Sequence, residues 1–512
     1  LHEGVDWNWE TFPEFLDAIE KKDFVMDLGF MIGHGPLRSY VMGYERCQSQ
    51  VDASKEEISK MSDIVTEAIE SGALGFSTSR TILHRDVHGV YVPGTEASSE
   101  EMKSLAFAID KAGEGTLEIV SDWLDKEIEM SWMREYVEKS DCGLTVLQTS
   151  GDAVKTILFC EEQFLKGKNV RPQFPGRNVG MMFGLESSLH PFIGHPSYRE
   201  IADLPLSERV KIMKDPAFKE KLLNEKPNFA SEIEKSMNEQ GNTKSQEEIK
   251  EAANLGLKLI SNYDTQFILG DPPNYEPGKE DSIAALAKSK GIAELEVIYD
   301  EFLKNEGTNL VYACFTPYDN HKLDFVERAY SLKSSVAGGS DGGAHCGLIC
   351  DASMPTTNLS HWARDREAGK KIPIELIVRK QTKDTAETYG LFDRGEIKTG
   401  MLADLNIIDF EKLNVTHPKM VYDLPLGGRR LIQTSSGYLA TVKSGEVVYE
   451  AGEATGVLPG KLIRGKQTCE VKTEKERVPF IDRTLRLMSV KAFKLLWNFR
   501  KSSVKTTVVS DD

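Results

Sequence analysis

Strand-like and helix-like segments alternate along this chain, and the alternation predicts an α/β protein built on a parallel sheet. Two further observations sharpen that expectation. A strand of small residues beginning at Ser335 runs into Asp341-Gly342-Gly343, which is how a barrel holds a carboxylate at the C-terminal rim of its strands while glycines let the backbone turn away. From Gly395 onward the texture changes, and glycine-rich turns separate short strands, which predicts a second, small β domain.

Taken in order, the first unit reads as a strand at Phe24 to Phe30, a helix at Ser54 to Glu70 and a strand at Gly72 to Thr78. A helix at Ser99 to Lys111, a strand at Leu117 to Ser121, a helix at Glu127 to Lys139 and an apolar run at Leu144 to Gln148 continue the pattern. Tyr198 to Leu259 is rich in Lys and Glu and poor in β-branched residues, so a helical insertion is expected at about residues 195–290. Alternation resumes with a helix at Ile292 to Lys304, a strand at Asn309 to Phe315, a helix at Leu323 to Ser331, the strand into Asp341 and a helix at Ile374 to Thr388. The domain bounds that follow are 1–390 for the barrel, 391–465 for the β domain and 466–512 for a tail. In that tail, Leu487, Val490, Phe493, Leu496 and Trp497 recur at helical spacing among basic residues, so 485–501 reads as an amphipathic helix docked on the body, one weakly touching a membrane surface, or a partly disordered stretch.

With 512 residues, 40% hydrophobic and 28% charged, the chain can bury a large core. A net charge of −17 argues against a nucleic-acid partner and favours a small-molecule substrate. Seven scattered cysteines suggest no disulfide framework, so a reducing, cytoplasmic setting is expected. Composition says nothing of the oligomeric state. The chain begins at Leu1 and not at Met, and it reads as a piece whose N-terminal part is missing.

Several motifs now fall into a recognisable order. Gly72-Ala73-Leu74-Gly75-Phe76-Ser77-Thr78, Gly339-Ser340-Asp341-Gly342, Arg379 to Ala386 and the stretch Glu396 to Phe410 resemble segments of the N-acyl-D-amino-acid deacylase branch of the amidohydrolase superfamily. The resemblance runs from about residue 1 to about residue 465, and it is the order of the motifs that makes it specific. It implies a distorted (β/α)8 TIM-type barrel carrying one or two zinc ions, a β-sandwich built from both chain ends, and amide hydrolysis by metal-activated water. Asp341 matches the family's general base and acid, which is also a metal ligand. Opening of a cyclic amide is an alternative within the same superfamily, and a barrel without catalysis, used for binding or as a scaffold, is another.

The chain departs from the family pattern at two strands. Where the family carries metal-binding histidines, this chain reads Ile119-Val120-Ser121-Asp122-Trp123 and Val146-Leu147-Gln148-Thr149. Asp122 is a substitute oxygen ligand or a turn-capping carboxylate, and Gln148 is a substrate-orienting amide or a packed one. Ser77 and Arg80 end the second strand motif, where the guanidinium could clamp a substrate carboxylate or pair with a local acid. Tyr318 and His321 are expected on the same rim as substrate contacts or as loop architecture, and His345, in the loop over the site, as a substrate contact whose imidazole could hold an oxyanion or a metal, or as a structural residue. His84 and His88, the Cys346 and Cys350 pair, and His190, His195 and His361 read mainly as solvated or structural. Asp351 and Arg364-Asp365-Arg366 read as surface charge or as an ion-pair network that braces the loop behind Asp341.

Overall fold

The computed structural model of the protein describes residues 6–85, 90–123, 125–148, 154–229, 254, 256–343 and 346–468. The tail helix expected at 485–501, together with His88 and His345, lies outside the described residues. Five strands follow one another in the first unit: β1 (Ile32–Gly33), β2 (Gly75–Arg80), β3 (Thr116–Ser121), β4 (Gly143–Leu147) and β5 (Val170–Pro175). After them come β6 (Val179–Phe183), β7 (Gln266–Ile268), β8 (Val311–Thr316) and β9 (Val336–Gly338). One sheet has the order β1-β2-β3-β4-β5-β9, with each neighbouring pair parallel. The parallel α/β sheet expected from the sequence is therefore present.

Helices cross between successive strands of this sheet, and the sequence sets their ends. Ser54 caps the helix Lys55–Glu70: its hydroxyl accepts from Glu57 N at 3.2 Å while the Glu57 side chain accepts from Ser54 N at 2.8 Å. Ser98 caps Ser99–Ala112, which ends at Gly113 in the left-handed conformation that glycine adopts most readily. Asp125 caps Lys126–Lys139. Along these helices Ile58, Met61, Val65 and Ile69, then Met102, Leu105 and Ile109, then Met133, Tyr136 and Val137 recur three and four apart and are buried. They pack against Phe76, Leu117, Ile119, Leu144 and Val146, which alternate on one face of the sheet. Burying each large apolar side chain in this way contributes about 1.5–3 kcal/mol.

Four expectations are corrected. Phe24 to Phe30 makes no ladder; single bridges join Phe24 to Gly460 and Leu28 to Leu462, and the Asp27 carboxylate is taken up by Arg394, Lys443 and Lys461 N. The strand near Asn309 exists as β8, but it lies between β6 and β7, antiparallel to both, in a separate sheet. The long helix Ile374 to Thr388 is two, Ile374–Gln381 and Lys383–Thr388, broken at Thr382 with φ −119° and ψ −86°. The strand before Asp341 is short, and the chain already turns at Gly339, ahead of the expected turn at Gly342 and Gly343. Gly339 has φ +84° and packs so tightly that an added Cβ would sit 3.1 Å from Pro175 Cβ.

The insertion is helical where it is described, with Pro196–Arg199, Leu206–Met213 and Pro216–Asn224. It shares a core with Phe183 and Val311, so it rests on the antiparallel sheet. In the C-terminal unit, Leu405–Ile408, Tyr438–Lys443, Glu446–Glu450 and Glu453–Ala454 make a four-stranded antiparallel sheet. Two further ladders pair Asn414–Val415 with Ser435–Ser436 and Lys419–Leu424 with Gly428–Ile432. Among the described residues six cysteines are free, and no helix is long and apolar enough to cross a membrane.

Ile109 has no exposed surface and sits where the helix meets Ile69 and the turn before β3. Ile109→Ala is expected to cost about 2–5 kcal/mol in urea unfolding. The same truncation at Ile128, which is 51% exposed, should stay within about 0.5 kcal/mol.

Candidate active site at the C-terminal edge of the sheet

The C-terminal ends of parallel strands share one edge, and the chain gathers several polar side chains there. Asp122 follows β3; its N–H donates to Arg80 O at 3.1 Å and its Oδ2 accepts from Ile82 N at 2.7 Å, so the carboxylate caps the turn that leaves β2. Gln148 follows β4, and its backbone N donates to Gln173 O at 2.8 Å. The Gln148 side chain is 1% exposed, and its amide has no hydrogen-bond partner among the described residues. Ser79 bonds His84 Nδ1 at 2.6 Å at the end of β2.

Asp341 stands on the same edge, three residues beyond β9. It is exposed, and its Oδ1 accepts from Gly343 N at 2.9 Å, closing the turn that follows. Ser340 Oγ donates to Ala352 O at 3.1 Å, which ties the Asp341 turn to the segment carrying Asp351. Asp351 is 3% exposed and faces the fully buried Arg177 at 3.1 Å. Burial pushes the Asp351 carboxyl up, Arg177 opposes it, the negative charge of Asp341 adds to the rise, and the result is about 6. Arg177 in turn lies 3.8 Å from the ring centre of Tyr275 and donates to Cys350 O at 3.0 Å. The edge thus joins an exposed carboxylate to a buried one that takes up a proton close to neutral pH.

Other side chains named from the sequence lie elsewhere. Ser77 is on β2 beside Gly33 and Glu118, on the face opposite the helices. Arg80 shares the pleat of Phe76 and Thr78 and turns to the helix layer. There its Nε and Nη2 meet Glu129 at 2.8 and 2.7 Å, and its Nη1 donates to Ala97 O at 2.9 Å. Tyr318 and His321 follow β8 and so belong to the antiparallel sheet. Both rings pack edge-on against Phe267, and the Tyr318 hydroxyl donates to Pro277 O.

His190 is buried, with burial pushing its imidazole down to about 3, and its ring packs 4.8 Å from that of Tyr198. His195 packs 5.7 Å from Phe192. The Cys346 thiol donates to Gly343 O at 3.0 Å, while burial raises the Cys350 thiol to about 11. The expected ion-pair brace resolves into separate parts: Arg364 pairs with Asp365, whereas Arg366 holds Glu276 at 2.9 Å and also pairs with Glu327. Asp351 belongs to neither, because its partner is Arg177.

The sequence reading missed three features. One is Arg177, which follows β5 in Gly176-Arg177-Asn178 as Asp341 follows β9. A second is the buried set in which His34 Nε2 and Arg38 Nε each meet Glu101 Oε1 at 2.8 Å, signalled only by a histidine at a strand-to-helix junction. The third is Tyr389, which donates to Glu118 at 2.7 Å and accepts from Gln173 at 3.1 Å. A zinc centre needs three or four convergent ligands. Among the described residues no group of three His, Cys, Asp or Glu side chains converges in that way, and one oxygen of Asp122 is committed to Ile82 N. The residues on this edge therefore do not by themselves fit the zinc site that the resemblance implies.

The structure thus shows a parallel α/β sheet with crossover helices and a carboxylate beyond its last strand. The model of the amidohydrolase family matches residues 2–449, so the chain belongs to that family, whose members hydrolyse amide bonds. It is 24% identical over 476 residues to an uncharacterized protein of Mycobacterium tuberculosis, covering 88% of this chain and 72% of that one. It is 24% identical over 413 residues to the D-aminoacylase of Alcaligenes xylosoxydans xylosoxydans, covering 80% of this chain and 66% of that enzyme. A solved D-aminoacylase structure, studied for its binuclear metal centre, superposes with a TM-score of 0.51 at 17% identity, over 89% of this chain and 75% of the other. The deacylase resemblance read from the motifs agrees with these likenesses.

The Glu276 cluster behind the site makes a pH prediction. Burial alone would raise the Glu276 carboxyl, but bonds from His361 at 2.8 Å and from Arg366 outweigh it and hold it at about 2. A carboxyl depressed in the folded state lends stability above its unfolded value near 4.5, and that stability is lost as pH falls toward 2. Glu276→Gln should lower the urea midpoint at pH 7 and flatten its decline between about pH 4.5 and pH 2.5. An equally steep decline in the variant would assign the acid sensitivity to other groups.

Proposed function

We propose that the chain cleaves the amide bond of N-acylated D-amino acids, with Asp341 handling the proton. The observation that carries this reading is the exposed Asp341 carboxylate just beyond the last parallel strand, within the electrostatic reach of buried Asp351. Family membership and the likeness to a D-aminoacylase support the choice of reaction and substrate. In this reading residues 1–390 form the hydrolase unit and 391–465 its companion β domain.

The chemistry assigned to Asp341 is that of a general base and then a general acid. Its carboxylate takes a proton from water as the water oxygen bonds to the acyl carbon. The same proton passes to the departing nitrogen as the C–N bond breaks, so that a carboxylic acid and a free amine leave. Asp351, held by Arg177, and the Ser340 bond to Ala352 O keep the turn that bears Asp341 in place. Ser77 and Gln148 are the polar groups assigned to substrate on β2 and after β4. Asp122 and Asp341 are the carboxylates assigned to any bound zinc, as oxygen ligands.

A second reading, a barrel that binds without cleaving, is favoured by the lack of a three-ligand group among the described residues and by the absence of imidazole at Ile119–Asp122 and Val146–Gln148. One assay separates the two. The full chain, with zinc supplied, is expected to release free amino acid from N-acetyl-D-amino acids, and Asp341→Asn should reduce the rate by about 10²- to 10⁴-fold with an unchanged circular dichroism spectrum. Undiminished turnover in the variant would remove Asp341 from the mechanism. A parent protein that binds these amides but does not turn them over would establish the binding reading.

A further inference from the structure

A cavity of about 230 Å³, lined by none of the residues assigned above, lies between residues 185–187, 307–310 and 417–420. It brings together the segment that leaves β6, the turn before β8 and the start of the Lys419–Leu424 strand. Its volume falls below the roughly 300–1,000 Å³ typical of pockets for drug-sized ligands, so the occupant is small.

Four lining side chains define the chemistry of that occupant. Ser187 is 4% exposed, and its hydroxyl has no hydrogen-bond partner among the described residues. A Cβ placed on Gly184 would meet Leu310 Cδ2 at 2.7 Å, Asn309 O at 3.2 Å and Ser187 Oγ at 3.6 Å, so this hydroxyl stands beside two other lining residues. A buried hydroxyl left unpaired costs stability unless a ligand satisfies it. Lys419 is exposed, and its ammonium forms no ion pair among the described residues. His417 shares its Nδ1 proton with Pro418 O at 2.8 Å; a carbonyl only accepts, so the neutral ring keeps Nε2 as an acceptor. Glu186 accepts from the Tyr422 hydroxyl through Oε1 at 2.7 Å and keeps its second oxygen. The wall therefore offers a cation and a hydroxyl donor together with a carboxylate and an imidazole acceptor.

We infer that this cavity binds a small zwitterion, a free α-amino acid, its carboxylate directed to Lys419 and Ser187 and its ammonium to Glu186 and His417. A simple anion would leave Glu186 opposed to it, and a simple cation would face Lys419, so only a ligand bearing both charges satisfies the wall. The inference stands on residues that the proposed hydrolysis does not use, and its readout is binding and not turnover.

The test is calorimetric titration of the full chain with glycine, D-alanine and L-alanine, and with acetate and methylammonium as the two half-ligands. Saturable binding of an amino acid is expected, weakened about tenfold by Lys419→Gln and about tenfold by Glu186→Gln. Neither half-ligand should compete with it at equal concentration. Both positions are exposed or half-buried, and matching circular dichroism spectra show that the variants are folded. Lack of saturable binding, affinities unchanged in both variants, or acetate binding as tightly as the amino acids would each overturn the assignment.

Discussion

The pleat of the six parallel strands is the constraint on which the rest of this structure depends. In a strand, successive side chains leave on opposite faces, so burying Phe76 among the helices commits Thr78 and Arg80 to the helix layer and Gly75, Ser77 and Ser79 to the other side. The register leaves no slack: a Cβ on Gly75 would come within 1.9 Å of Thr116 O. Because the strands are parallel, their C-terminal ends meet along one edge. Polar groups from Asp122 to Gln148 and Asp341 therefore lie along that one edge although they are far apart in the chain.

The two ends of the sheet are treated differently. At the N-terminal end, the last turn of the helix Lys383–Thr388 meets the sheet: Thr116 Oγ1 donates to Thr388 O at 2.7 Å, and Arg171 pairs with Glu387 at 3.2 Å. Tyr389 links Glu118 to Gln173, and burial raises its phenol well above the ordinary tyrosine range. These polar groups are spent on one another, which favours rigidity over chemistry. At the C-terminal end an exposed carboxylate is left beside a buried one. The same residue type thus serves two purposes, and solvent exposure decides between them.

How much of this was legible in the sequence depends on the distance over which each feature is decided. The helices Lys55–Glu70, Ser99–Ala112 and Lys126–Lys139 were readable because capping residues and apolar spacing lie within a few turns of one another. The place of Asp341 beyond a late strand was readable for the same local reason, and so was the likeness to a deacylase, which rests on ordered motifs. Arg80 was harder. Its strand-end position suggested a clamp, whereas its pairing with Glu129 follows from a helix that begins some 45 residues later. Tyr318 and His321 were placed on the wrong sheet because a six-residue strand such as β8 does not declare whether its partners are parallel or antiparallel.

By itself the sequence determined the α/β class, the helix ends, the family motifs and the lack of imidazole on two central strands, since these follow from composition and short-range spacing. Tertiary structure alone decided that Asp351 meets Arg177, that Glu276 gathers His361 and Arg366, and that Ser187 shares a cavity wall with His417. Those partners are separated by between 85 and 230 positions in the chain. Their meeting depends on strand order and register, which no local pattern of residues encodes.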